Sequence, residues 1–138
     1  MPINHKERAK QLISFDGMER TDRGIIPTDI DGFIDYKGKM FVYMEAKLIN
    51  APIPDGQKWA LQNAVKSHEL AGHKAVSIIF RHKTQAEDII IAKNQIVDTY
   101  YYKYKGVFDW RKPRIENPTL IRCLDSWEKY CEEKKIVI

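Results

Sequence analysis

The stretch TDIDGFIDYKGKMFVYMEAK, Thr28 to Lys47, gathers four acids, Asp29, Asp31, Asp35 and Glu45, and sets Lys47 two residues past the last of them. The same stretch alternates as a β-hairpin does. Acids are poor strand formers, and like charges opposed across a sheet repel, so the clustering asks for a functional reason. Side chains of a strand point alternately to its two faces. Asp29, Asp31, Phe33 and Asp35 therefore share one face, and Phe41, Tyr43, Glu45 and Lys47 share a face of the next strand. Met40, Val42, Met44, Ala46 and Leu48 are apolar on the opposite face and suit a core. A turn at Lys37-Gly38-Lys39, with Gly38 or its neighbour at positive φ, pairs Tyr36 with Met40, Phe33 with Tyr43, Asp31 with Glu45 and Asp29 with Lys47. A one-residue slip would oppose the acidic face to the apolar one, so the pattern selects this register.

In that register the Cβ atoms of Asp31 and Glu45 lie roughly 4.5–5.5 Å apart. Two such carboxylates can share a hard divalent cation such as Mg²⁺, which prefers oxygen ligands and keeps several waters. The cation would cancel their repulsion. Lys47, on the same face, is placed to orient a water or to balance charge on a phosphate. The competing reading is a solvated hairpin face on which Glu45–Lys47 and Asp29–Lys47 are surface pairs of little worth.

The remaining elements must hold that hairpin. Residues 4–15 (NHKERAKQLISF) suit an amphipathic helix with Ala9, Leu12, Ile13 and Phe15 inward, broken at Asp16-Gly17 and followed by a polar connection, Met18 to Pro27. Asp55, as N-cap, opens a helix whose inward stripe is Ala60, Leu61, Ala64, Val65 and Ala71, closed by Gly72. Lys74 to Phe80, Glu87 to Ala92 and Ile96 to Tyr104 read as strands, the first two as buried apolar runs. Asn117 as N-cap, followed by Pro118, starts a C-terminal helix running to about Glu133. This order predicts an α/β (α+β) fold, a mixed central sheet carrying the acidic hairpin and flanked by helices.

A chain of 138 residues with 43% hydrophobic composition suits one domain over residues 1–138. No N-terminal apolar run resembles a signal peptide and no stretch approaches the roughly 20 apolar residues of a membrane span. The expectation is a soluble, cytoplasmic protein with no membrane partner. Cys123 and Cys131, two turns apart on one helix, lie about 12 Å from each other and cannot form a bond. They read as buried apolar side chains, and His5, His68, His73 and His82 lack zinc-site spacing. The net charge of +4 permits a polyanionic partner without demonstrating one.

DIDGFI followed by YMEAK resembles the two acidic motifs of the PD-(D/E)XK nuclease superfamily, the restriction-endonuclease-like fold, and DGQKWALQ resembles the helix start that follows them. The resemblance covers roughly residues 5 to 92 and looks most like small phage-encoded recombination nucleases, including Holliday-junction-resolvase-like members. It implies that Asp31 and Glu45 hold the metal with the carbonyl of Ala46, that Lys47 is catalytic, and that Mg²⁺, with Mn²⁺ as a substitute, is the cofactor. It further implies a site role for Gln57, whose plain alternative is a polar first-turn residue, and for a first-helix acid. Glu7 is the best placed such acid, with an ordinary solvated charge as its alternative, and Glu19 is placed less well. Ile30 stands where the family has proline, Asp29 lies near enough to replace Asp31 in another register, and Leu61 stands where a QxxxY pattern would have tyrosine.

The segment YYYKYKGVFDWRKPR, Tyr100 to Arg114, interleaves aromatic and basic residues that suit base stacking and phosphate contacts, or equally a packed strand with surface lysines. Lys58, Lys66, Lys74 and Arg81 form a candidate basic rim, with ordinary solvated surface charge as the alternative for each taken singly. The resulting expectation is hydrolysis of DNA phosphodiester bonds by a metal-activated water, with DNA as partner and a two-fold dimer, common in the family, as a further expectation. The alternatives are a non-catalytic nucleic-acid-binding module of the same fold and a protein-interaction domain.

Overall fold

The computed structural model describes residues 14–19, 21–23 and 28–134. The predicted first helix, apart from its last two residues, and Glu7 within it lie outside the described residues. Strands β1 (Gly32–Tyr36) and β2 (Met40–Leu48) form the predicted antiparallel hairpin, with Phe33 opposite Tyr43 and Tyr36 opposite Met40. Its turn is closed by the Lys39 N–H donating to the Tyr36 carbonyl at 3.0 Å and by the Gly38 N–H donating to Asp35 Oδ1 at 2.7 Å. Lys37 and Gly38 both take positive φ, 55° and 73°, so the turn uses a lysine in the left-handed region beside the glycine that suits it.

Helix α1 (Asp55–Leu70) carries the chain over the sheet to β3 (Lys74–His82), which runs parallel to β2 with Glu45 opposite Ile79 and Lys47 opposite Arg81. Strands β4 (Ile96–Tyr104) and β5 (Val107–Arg111) follow antiparallel, giving a five-stranded mixed sheet ordered β1-β2-β3-β4-β5. Helix α2 (Leu120–Glu133) packs on the face opposite α1. The fold is therefore mixed α+β, two helices enclosing one sheet.

Central strand β3 is buried from Ala75 to Phe80, which explains why it reads as an unbroken apolar run. On the α2 face, Met40, Val42, Val76, Ile78 and Phe80 meet Leu120, Cys123, Trp127 and Cys131. Each such side chain removed from water contributes about 1.5–3 kcal/mol. Both cysteines are free and buried, and burial pushes the Cys131 thiol up to about 12. On the α1 face, Val65, Ala75 and Tyr101 pack with Phe41, Phe108 and Trp110. The buried Ser77 hydroxyl donates to the Leu61 carbonyl at 2.9 Å, pinning α1 to β3.

Several boundaries differ from the sequence reading. Residues 87–92 form no strand: a turn leads to a short 3-10 segment at Ala92–Asn94, and Ile89 is 83% exposed. The strand that takes the free edge of β3 is β4, and this apolar run serves as the connection to it. Strand β5 lies within the Tyr100–Arg114 segment, for which the sequence offers a packed strand beside a nucleic-acid-contacting tail without separating β4 from β5. Helix α2 begins at Leu120 with Thr119 as its cap, because Asn117 adopts φ 46° and the Pro118 carbonyl accepts instead from the Val97 N–H of β4. Pro54 rather than Asp55 occupies the cap position of α1. Of the predicted stripe on α1, Leu61 and Val65 are buried, while Ala60 and Ala71 face solvent. No helix among the described residues is long and apolar enough to cross a membrane.

Candidate active site

Strand alternation sends Phe41, Tyr43, Glu45 and Lys47 to one face of β2, and α1 covers that face rather than leaving it solvated. Glu45 is consequently only 4% exposed. Residues 48–54 return the chain so that the first turn of α1 stands over the end of β2, and Gln57 in that turn donates from Nε2 to Glu45 Oε1 at 2.8 Å. Lys47 Nζ lies 3.8 Å from the same oxygen. Oε1 is thus held from two sides, whereas Glu45 Oε2 and Gln57 Oε1 are both buried and have no hydrogen-bond partner among the described residues.

Asp31 sits one residue before β1, where the ladder has ended, and its Oδ2 accepts from the Ala46 N–H at 2.8 Å. That bond occupies a main-chain donor which a longer β1 would have paired. Because the N–H and C=O of a strand residue point to the same side, the Ala46 carbonyl is directed toward this end of β1 as well. Asp31 also lies beside Glu45. Burial first, then the charge of the neighbouring Asp31, raise the Glu45 carboxyl to about 7, against the opposing pull of Lys47 and Gln57.

The structure therefore brings Asp31, Glu45, Ala46, Lys47 and Gln57 together. Asp29 lies before β1 without a described contact to the group. Glu19 caps its own turn by accepting from the Gly17 N–H at 2.9 Å. Among the described residues no cluster of three or more His, Cys, Asp or Glu side chains suits a metal, so a cation here would take the carboxylate pair and complete its shell with carbonyl oxygen and water. Mg²⁺ accepts such a set, since it commonly uses one or two carboxylates and retains waters. Glu45 Oε2, unpartnered within the carboxylate pair, and the orphan Gln57 Oε1 fit a cation better than any anion.

Sequence reasoning passed over several neighbours. The Tyr43 hydroxyl and His68 Nε2 share a hydrogen bond at 2.7 Å, and Phe41 stacks on the His68 ring at 3.8 Å. Tyr43 precedes Glu45 on the same face, about 7 Å along the strand. Burial and then the neighbouring His73 lower the His68 pKa, against the opposing pull of Asp35. Arg81 is a brace rather than part of a free basic rim: it donates to the carbonyls of Leu48, at 3.0 Å, and Ala51, and through Nε to Asp98 Oδ2 at 3.0 Å. Asp98 is the extra residue of a β-bulge, since Ile79 pairs with Thr99 and Phe80 with Val97. Although burial opposes it, hydrogen bonds from Lys112 and Arg81 hold the Asp98 carboxyl below its ordinary value.

Of the other predicted rim residues, Lys58 lies over the Trp110 ring at 5.6 Å, Lys74 reaches Glu69 at 3.4 Å and Lys66 is exposed. An open groove of about 720 Å³ runs past the C-terminal ends of β2 and β3, with Asn50, Arg81, His82, Lys83 and Lys112 in its walls. No family model matches the chain, and no curated protein or solved structure shows significant similarity to it.

Proposed function

We propose that this protein is a Mg²⁺-dependent deoxyribonuclease of the PD-(D/E)XK type with a restriction-endonuclease-like core, in which Asp31, Glu45 and the Ala46 carbonyl hold the metal and Lys47 serves the reaction. The observation that carries this reading is Glu45 itself. An ionisable side chain 4% exposed, with one oxygen unpartnered and a second acid beside it, is costly in a metal-free fold and rational as a ligand. The bound cation would supply Lewis acidity at the phosphate and a water acidified enough to attack.

The chain's own residues divide the remaining work. Gln57 and Lys47 fix Glu45 Oε1, which leaves Oε2 as the ligating atom. Asp31 is steadied by the Ala46 N–H and presents its other oxygen. Lys47, held at the rim of this pair, positions the attacking water or offsets charge that develops on the phosphate. Lys83 stands in a neighbouring groove whose lining includes none of the site residues, and it offers a phosphate contact beyond them. DNA as substrate, a role in phage recombination or repair, an intracellular location and a two-fold dimer belong to the same reading through the resemblance of the motif.

The test is cleavage of labelled single-stranded, linear duplex and four-way-junction DNA with Mg²⁺, Mn²⁺ or EDTA, using the native protein, Glu45→Ala and Lys47→Ala. Metal-dependent cleavage lost in both variants supports the nuclease. Binding without cleavage assigns a non-catalytic module, and neither binding nor cleavage assigns a protein-interaction domain.

A further inference from the structure

On the sheet face opposite the carboxylates, a second concavity lies between α2 and the β4–β5 hairpin. Its volume is about 270 Å³, just under the range of drug-sized pockets, which suits one heterocyclic base with the rest of its nucleotide at the open rim. Tyr100, Tyr102 and Tyr104 project from alternate positions of β4 with ring centroids 5.4 and 6.1 Å apart, and Tyr130 of α2 meets Tyr102 edge-on at 5.5 Å. Trp127 lines the same wall. Strand alternation alone produces this ladder, because Tyr101 and Lys103 are sent to the other face.

The cleft is also cationic. Arg111, Lys112 and Arg114 line it, Lys112 being paired with Asp98 outside the cleft, and no carboxylate lines it among the described residues. Arg111 lies over the rings of Tyr102 and Tyr104, at 5.0 and 5.7 Å, and its guanidinium donates only to main-chain carbonyls: Tyr102 at 2.6 Å, Asp109 at 3.3 Å and Val107 at 3.0 Å. Those bonds lock the group in place without neutralising it. Arg114 is exposed and has no carboxylate within ion-pair distance among the described residues. A wall of tilted and edge-on phenol rings suits an aromatic plane, and two guanidiniums without a carboxylate partner among the described residues suit an anion attached to it.

We propose that this cleft binds a single nucleotide unit, its base among Tyr100, Tyr102 and Tyr130 and its phosphate on Arg114, with the fixed charge of Arg111 beside it. The unit is either a free nucleoside monophosphate or one nucleotide of a single strand; both present the same base and phosphate. The site lies across the sheet from Glu45, so its occupant is held rather than cut, and the inference does not depend on the nuclease reading.

The experiment is ¹⁵N NMR of the three indole N–H groups in EDTA, where Trp127 lines the cleft, Trp110 lies on the other sheet face and Trp59 is exposed. Adenosine monophosphate, adenosine, inorganic phosphate and a short single-stranded DNA are titrated into the native protein and Arg114→Gln, a surface change that leaves the core intact. The expected result is a saturable shift of Trp127 alone with the monophosphate, the oligonucleotide or both, weakened about tenfold in the variant, as loss of one charge-assisted contact predicts. A response to the monophosphate alone identifies a free nucleotide as the ligand, and a response to the oligonucleotide alone identifies a strand. No shift of Trp127 at millimolar ligand, equal affinity for adenosine and its monophosphate, or an unchanged affinity in Arg114→Gln overturns the proposal.

Discussion

Gln57 Nε2 donates to Glu45 Oε1 at 2.8 Å, so the first turn of α1 holds the carboxylate of β2 by one oxygen and leaves the other without a partner. If Oε2 is the atom that meets a metal, Gln57 acts by orienting it. Gln57→Ala should weaken Mg²⁺ binding by about 10–100-fold, the usual effect of removing a group that orients a ligand. Isothermal titration with Mg²⁺ or Mn²⁺ checks this, and equal affinity in the variant would remove Gln57 from the site.

Lys47 stands 3.8 Å from Glu45 and has no place in the core. Lys47→Ala should leave thermal stability nearly unchanged and lower the cleavage rate by about 10²–10³-fold, the scale for losing one group that stabilises developing charge. Single-turnover rates at saturating metal measure it.

The Glu45 carboxyl, raised to about 7 chiefly by burial, fixes the sign of a pH effect in the metal-free protein. Between its ordinary range near 4.5 and about 7 the folded state retains a proton that the unfolded state has lost. Stability in EDTA should therefore fall as pH rises through this window and level off above it. Urea unfolding from pH 4.5 to 8 tests the slope. Glu45→Gln should flatten it, and added Mg²⁺, which favours the ionised carboxylate, should stabilise more at pH 8 than at pH 6.

Arg81 ties the 48–54 connection to the sheet by bonds to the Leu48 and Ala51 carbonyls while pairing with Asp98. Arg81→Lys keeps the charge and loses the fork. It should reduce stability by about 1–3 kcal/mol and, by loosening the start of α1, raise the Mg²⁺ concentration needed for half-maximal cleavage. Denaturant midpoints and metal titrations of activity report the two effects separately.

The hairpin and its register were legible because the acidic and apolar faces alternate without a break from Asp29 to Leu48, so one pairing satisfies both. β3 was legible as a buried apolar run. The run at Ile89–Ile91 misled for the same reason: composition describes a strand, but only the sheet decides which run takes its free edge. β5 was hidden by its charged and aromatic content, which suits a hairpin with one face on α1 and equally suits a nucleic-acid tail. At the site, Asp31, Glu45 and Lys47 follow from spacing along two adjacent strands. The Tyr43–His68 pair does not, since it joins residues 25 apart through the docking angle of α1. The bulge at Asp98 likewise leaves no trace in the local pattern.

The parallel pairing of β2 with β3 has a consequence for the order of assembly. The β1–β2 hairpin closes through near neighbours and Gln57 stands only 12 residues beyond Glu45, but α1 is pinned over that face by Ser77 of β3 and by the β2–β3 pairing, which close only across the 48–73 crossover. Loop closure of that length is slow compared with hairpin formation. A fragment ending before Lys74 should retain the acids yet lack the enclosure that buries Glu45. If the acids hold a metal, tight metal binding should therefore appear late in refolding and mark the moment at which the crossover closes.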